Sequence, residues 1–265
     1  MPSVSVAAVV THASAITVAP AIARLEAVAQ ASGVELVFGE QDAAGADIAV
    51  VLGGDGTMLR ALSRFHGTGV PVIGVNYGRV GFLTAITADG LEDGVRRVFA
   101  GDYRTVELAT LEVDVGGVTK VVAVNDVVVA GGTLGRMVEL GHAIGNEELG
   151  VQPCDGLICA SPAGSTAYNL SNGGPVLVWG LDAMVLTFVA PHALDVRSLV
   201  VPRGSDTVIT NRTSELDAIV LVDGHEVGRL ADGEEAVVRV GSSPSLLATL
   251  PEMTFFSRYS ATFAH

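Results

Sequence analysis

Ile48-Ala49-Val50-Val51-Leu52-Gly53-Gly54-Asp55-Gly56-Thr57 holds the sharpest change of pattern in this chain of 265 residues. An apolar run stops at a glycine pair, and Met58-Leu59-Arg60-Ala61-Leu62 then follows helical spacing. A strand that runs through a glycine turn into a helix is a phosphate-handling arrangement. Glycine reaches positive φ without strain and lets a ligand approach main-chain N–H groups closely. Those N–H groups, with the positive end of the helix, favour a polyanion. Asp55 would repel phosphate unless it binds Mg²⁺ or accepts a proton from a hydroxyl. The loop therefore points to phosphoryl transfer to an alcohol.

Around this loop, residues 4–10, 34–38, 48–52 and 70–75 read as strands, and 19–31 and 57–65 as helices. Short buried strands alternating with helices imply a doubly wound parallel sheet covered on both faces. Ligands on such sheets bind beyond the carboxyl ends of the strands. Asp55 and the loop Asn76-Tyr77-Gly78 would lie there. The character changes after Gly101. Runs at 106–115, 118–130, 137–144, 183–189, 206–209, 218–222, 227–230 and 236–240 are β-rich and separated by short turns, which predicts antiparallel sheets. The reading is thus α/β plus all-β, with an N-terminal α/β domain at 1–101 and a β-rich domain from 102.

Composition narrows the function. Hydrophobic content of 49% and charged content of 17% describe a well-packed globular chain. A net charge of −14 argues against nucleic acid and anionic membranes as partners. Lys120 is the only lysine and Thr119, not glycine, stands immediately before it, which excludes a Walker A loop. Cys154 and Cys159 read as buried, reduced thiols, and their spacing fits no common zinc pattern. The N-terminus lacks the charged segment of a signal peptide and reads as a first strand, so the expected compartment is the cytoplasm.

A second stretch, 155–171, runs from an apolar strand into the turn Ser161-Pro162-Ala163-Gly164-Ser165-Thr166 and a helix start. Pro162 suits a helix's first turn, and Ser161 or Ser165 is placed to cap it. On its own the turn allows capping or ligand binding, with Tyr168 as a flat face for a ring. Joined to the glycine loop it says more. The blocks Gly53 to Thr57, Pro71 to Gly78 with Gly81-Phe82-Leu83, Asn125-Asp126, Asp155 to Pro175 and Asp223-Gly224-His225 together resemble the NAD kinase family. GGDGT alone is shared with lipid kinases and phosphofructokinases; the DG(x)₄SPxGSTAYNLS stretch is the specific part.

The resemblance implies phosphorylation of the adenosine-ribose 2′-hydroxyl of NAD by ATP or polyphosphate, giving NADP. It implies an antiparallel β-sandwich-like second domain, at 102–245 here, with 246–265 packing back on the first. By position, Asp55 is the proton acceptor, with Gly54, Gly56, Thr57 and Phe82 around it and Arg60 contacting the dinucleotide. Asn125 and Asp126 hold ribose and adenine, and Arg136 lies near the substrate. Asp155, Ala163, Thr166, Ala167, Tyr168, Asn169, Leu170 and Ser171 line the base and nicotinamide pockets. His225 stands where glutamine is more usual. Mg²⁺, or another divalent cation, is expected to arrive with the phosphate donor rather than on protein side chains, and the assembly to be a homodimer or homotetramer. Two departures stand out: Ala163 replaces a usual Thr or Ser, and Ser198 a usual proline.

The chemistry agrees with these roles. A secondary alcohol is a poor nucleophile, so a carboxylate must orient it and take its proton, an effect worth about 10²–10⁴-fold. A carboxamide beside a carboxylate can clamp a vicinal diol. Blander readings remain open: Asp55 as a helix cap, Asn125-Asp126 as a β-turn, and His192, Trp179 and Phe255-Phe256 as core or subunit contacts. Two other functions fit the same loop, a GGDGT-type lipid kinase and a non-catalytic NAD(P)-binding sensor.

Overall fold

The computed structural model describes residues 3–11, 15–39, 45–78, 81–117, 119–133, 136–193 and 195–263. Two units are distinguished by their internal contacts, Met1–Glu107 with Ser245–His265, and Leu108–Pro244.

The first unit begins β1 (Val6–Thr11), α1 (Ala15–Ser32), β2 (Glu35–Phe38), β3 (Ile48–Gly53), α2 (Asp55–Arg64), β4 (Val72–Asn76), β5 (Ile86–Thr87), α3 (Leu91–Phe99) and β6 (Arg104–Leu108). Strands β2, β1, β3 and β4 are neighbours in that order and all parallel. Every residue of β3 is buried. Ile48, Val50 and Leu52 share a core with Leu25 and Val28 of α1 and with Leu91, Val95 and Phe99 of α3. Ala49 and Val51 alternate to the opposite face, the side on which Met58, Ala61 and Leu62 of α2 are buried. Burying each such Val, Leu or Ile contributes about 1.5–3 kcal/mol. Fixed from both faces, β3 delivers Gly53 and Gly54 to one place. α1 starts at Ala15 rather than at 19 and takes Pro20 into its interior.

The second unit holds β7 (Leu111–Val115), β8 (Thr119–Ala123), β9 (Asp126–Gly131), β10 (Val138–Ile144), β11 (Glu147–Cys154), β12 (Gly156–Ala160), a 3₁₀ turn (Gly164–Thr166) and α4 (Tyr168–Ser171). It continues with β13 (Ala183–Val189), β14 (Leu199–Pro202), β15 (Thr207–Asn211), β16 (Ala218–Val222), β17 (His225–Leu230) and β18 (Glu235–Val240). Two six-stranded sheets form, ordered β11-β10-β15-β18-β7-β8 and β14-β13-β12-β9-β16-β17. Val113, Leu140, Ile209 and Val238 of one sheet share a core with Val127, Leu157, Cys159 and Val220 of the other. On the far face of the second sheet, Val128, Ile158, Ala160 and Val185 pack with Leu177. β12 is therefore buried on both faces and reads as an unbroken apolar run. Both cysteines are free and buried.

The chain then returns to the first unit as β19 (Ser245–Thr249), which lies between β4 and β6, and α5 (Phe255–Phe263). The run read as 106–115 is two strands parted at Ala109-Thr110. The run read as 118–130, whose Val118 lies outside the described residues, is parted at Val124-Asn125. That second break is built into the site.

Candidate active site

Gly54 is extended, with φ −103° and ψ −170°, and Asp55 is the first residue of α2. No side chain caps this helix. Asp55 instead reaches the loop after β4, where Oδ2 accepts the Phe82 N–H at 2.6 Å and Oδ1 the Leu83 N–H at 3.2 Å. The capping reading of Asp55 gives way to this geometry. The loop comes that near because residue 81 is glycine: a Cβ there would collide with the Asp55 carboxyl group. Gly53 likewise leaves room for the Thr57 side chain. Nothing lies within 4 Å of where a Cβ on Gly56 would stand, so the helix start is open on that side. Thr57 is buried and Arg60 exposed.

Phe82 contributes its N–H to Asp55 and its ring elsewhere. The ring meets Phe255 edge-on at 5.4 Å and stacks on Phe263 at 6.2 Å between centroids, both on α5. The same helix supplies Arg258, only 4% exposed. Its Nη1 donates to the carbonyls of Phe82, at 2.9 Å, and Thr84, and its Nη2 to Thr249 Oγ1 at 2.9 Å. Burial lowers the guanidinium to about 10, while the Asp55 charge pulls it back up. Arg258 therefore stays cationic at neutral pH.

In the second unit the site is built on a carboxylate pair. Asp223 sits at φ +47° in the turn between β16 and β17, followed by Gly224 at +82°, a hairpin turn in which both central residues take positive φ. Its Oδ2 accepts the Val124 N–H at 2.9 Å, and its Oδ1 those of Asn125 and Asp126 at 2.8 and 3.2 Å. The break in the predicted 118–130 strand is where the backbone turns these three N–H groups onto Asp223. Asn125 and Asp126 are both buried, and Asn125 Oδ1 has no hydrogen-bond partner. A buried amide oxygen left open is costly until a donor reaches it.

Burial above all, then the Asp223 charge, raises Asp126 from 3.8 to about 7. The folded chain keeps this proton to a higher pH than the unfolded chain. Between about pH 4 and about pH 7 the unfolded state binds fewer protons, so stability falls as pH rises and is level above. Asp126→Asn should remove that fall. In melts of the ligand-free protein, its Tm relative to wild type should rise by several degrees between about pH 5 and about pH 8. An equal offset at both pH values would contradict the assignment.

The Ser161–Gly164 turn is docked on Asn125. Ser161 N–H donates to the Asn125 carbonyl at 2.8 Å, and Ser161 Oγ donates to the Val124 carbonyl at 2.6 Å while accepting the Gly164 N–H at 3.1 Å. Ser161 is thus the hydroxyl that caps the turn. Ser165 Oγ instead donates to the Pro162 carbonyl and accepts the Leu177 N–H. Ala163 is buried, Thr166, Ala167 and Leu170 are half-buried, and Tyr168 and Ser171 are exposed. Asn169 is fully buried with its amide committed: Nδ2 donates to the Ser165 and Pro175 carbonyls, and Oδ1 accepts from Thr187 Oγ1. With the Thr187 proton so used, Ser198 donates to Thr187 at 2.9 Å. The Ser198 departure extends this internal network. Asp155 and Arg136 are exposed, and the exposed His225 has Nδ1 3.1 Å from the Asp223 carbonyl.

The first unit thus gathers Gly54, Asp55, Gly56, Thr57 and Phe82, and the second gathers Asn125, Asp126, Ala163 and Thr166. Asp223, Ser161 and Arg258 were not singled out as site residues by sequence. Among the described residues no group of three or more His, Cys, Asp or Glu side chains is arranged to hold a metal ion, and no helix is long and apolar enough to cross a membrane.

Residues 8–103 match the ATP-NAD kinase N-terminal domain model and residues 124–250 the ATP-NAD kinase C-terminal domain model. An NAD kinase of Heliobacterium modesticaldum is 42% identical over 214 residues, covering 79% of this chain and 76% of that protein. Yeast NADH kinase, solved with NADH, superposes with a TM-score of 0.85 at 23% identity, covering 100% of this chain and 88% of that one. An NAD kinase from Archaeoglobus fulgidus, solved with ATP, gives 0.77 at 25% identity, covering 98% and 97%.

Proposed function

The chain belongs to the NAD kinase family, and from that premise we propose that it transfers a phosphoryl group from ATP or polyphosphate to the adenosine-ribose 2′-hydroxyl of NAD, forming NADP. The observation that carries the mechanism is the Asp55 carboxylate, aimed by two backbone N–H groups and not used as a cap. The 2′-oxygen forms the new P–O bond, the donor's P–O bond breaks toward its leaving phosphate, and the 2′-hydroxyl proton passes to Asp55. Asn125 and Asp126 orient the ribose diol, the open Asn125 Oδ1 accepting one of its hydroxyls. The open surface at Gly56 and the start of α2 take the donor's phosphates. A divalent cation such as Mg²⁺, arriving with those phosphates rather than held by protein side chains, would supply charge neutralisation there.

Incubation with NAD, Mg²⁺ and either ATP or polyphosphate should yield NADP, and the faster donor is the working one. Binding of NAD without turnover on any donor would overturn the kinase reading and leave a sensor. The two buried free thiols suit the reducing cytoplasm. Exposed Leu149 and Val151 on β11 and Leu199 and Val200 on β14 support self-association as a dimer or tetramer. Light scattering should therefore give a mass at least twice that of one chain.

A further inference from the structure

We propose that Arg258 is a positioning residue for the reaction, holding Asp55 in its working orientation through the peptide group between Phe82 and Leu83. The inference rests on the Asp55 role given above. The carbonyl of that peptide group accepts from Arg258 Nη1 at 2.9 Å, and its N–H donates to Asp55 Oδ1 at 3.2 Å. One planar, resonant amide thus has a cation at its oxygen and an anion at its nitrogen. Each charge polarises the amide in the sense that strengthens the other's hydrogen bond.

The neighbouring groups prolong the clamp. Arg258 also takes the Thr84 carbonyl, and Asp55 Oδ2 also takes the Phe82 N–H at 2.6 Å. Residues 82–84 therefore present N–H groups to Asp55 and carbonyls to Arg258. Thr249, on the returning strand β19, anchors the guanidinium from behind at 2.9 Å. Arg258 is 4% exposed, so it makes this contact without water screening. Two hydrogen bonds fix the plane of the Asp55 carboxylate, and each oxygen keeps a further lone-pair site for a substrate hydroxyl. A base turned out of that plane loses reach to the proton it must take.

The test is a double-mutant cycle on turnover, with each variant's active fraction set by NAD titration. Arg258→Gln, which removes the charge, and Arg258→Lys, which keeps a cation but loses the fork, are each combined with Asp55→Asn. In the wild-type background Arg258→Gln should lower kcat by about tenfold or more, with KM for NAD within about twofold. With Asp55→Asn already present, the same change should cost less than about twofold, because the group that Arg258 positions is gone. Arg258→Lys should fall between wild type and Gln, and it carries the cycle if the Gln variant does not fold. Losses that multiply across the cycle, or an unchanged kcat in the single variants, would overturn the proposal. Absence of NADP from the wild type would instead remove the kinase reading on which it rests.

Discussion

Asp55→Asn is expected to cut NADP formation by about 10³-fold while leaving KM for NAD within about threefold. Such a loss corresponds to about 4 kcal/mol of transition-state stabilisation. On the proposed role of Asp55, loss of the proton acceptor accounts for much of it. The rest comes from geometry, because Phe82 and Leu83 both present N–H groups to this side chain. A carboxylate meets them with two acceptors, but a carboxamide must turn its NH₂ toward one of them. Two donors then face each other, and the side chain or the loop moves away. Among the described residues, neither the strand that delivers Asp55 nor the second unit makes a hydrogen bond to that carboxylate, so circular dichroism and NAD affinity should hold. Steady-state kinetics with NAD varied and the donor saturating would settle the matter. Retention of more than about a tenth of wild-type kcat would show that another group takes the proton.

The parts of this arrangement that were legible in the sequence are those written locally. β3 announces itself because both of its faces are buried, which leaves five consecutive apolar residues before Gly53. Asn125-Asp126 is a polar pair inside an otherwise apolar run, between Val121-Val122-Ala123-Val124 and Val127-Val128-Val129-Ala130. Its partner was harder to see. Asp223 lies 97 to 99 positions along the chain from the N–H groups that it accepts, and nothing in Asp223-Gly224-His225 marks the carboxylate as more than a turn residue. Arg258 was hidden for the same reason. Its carbonyl partners lie 174 and 176 positions away, and in Phe255–Phe263 it looks like any surface arginine among aromatic residues. Edge strands were missed on other grounds. β11 is mostly exposed and carries glutamates and a glycine, so it lacks the apolar alternation by which strands are read. α3 was not among the elements read; Gly94 sits inside it, where the Ile86 side chain leaves no room for a Cβ.

Gly164→Ala should raise the dissociation constant for NAD by at least about tenfold, which is about 1.4 kcal/mol, and lower the melting temperature by several degrees. A Cβ on residue 164 would land on the carbonyl oxygen, carbonyl carbon and Cα of Asn125. All three are backbone atoms, so no rotamer change relieves the clash, and overpacking of this kind costs about 1–3 kcal/mol. The strain has two ways out, and both damage the same groups. If the Ser161–Gly164 turn moves, the Ser161 N–H leaves the Asn125 carbonyl and Ser161 Oγ leaves the Val124 carbonyl. If Asn125 moves, its N–H and that of Asp126 leave Asp223, and the open Asn125 Oδ1 no longer points where the ribose should arrive. Asp55 lies in the other unit, so kcat at saturating NAD should change less than affinity does. Calorimetric titration with NAD, paired with thermal melts, separates these effects. NAD affinity within about twofold of wild type would mean that this turn does not set the position of Asn125.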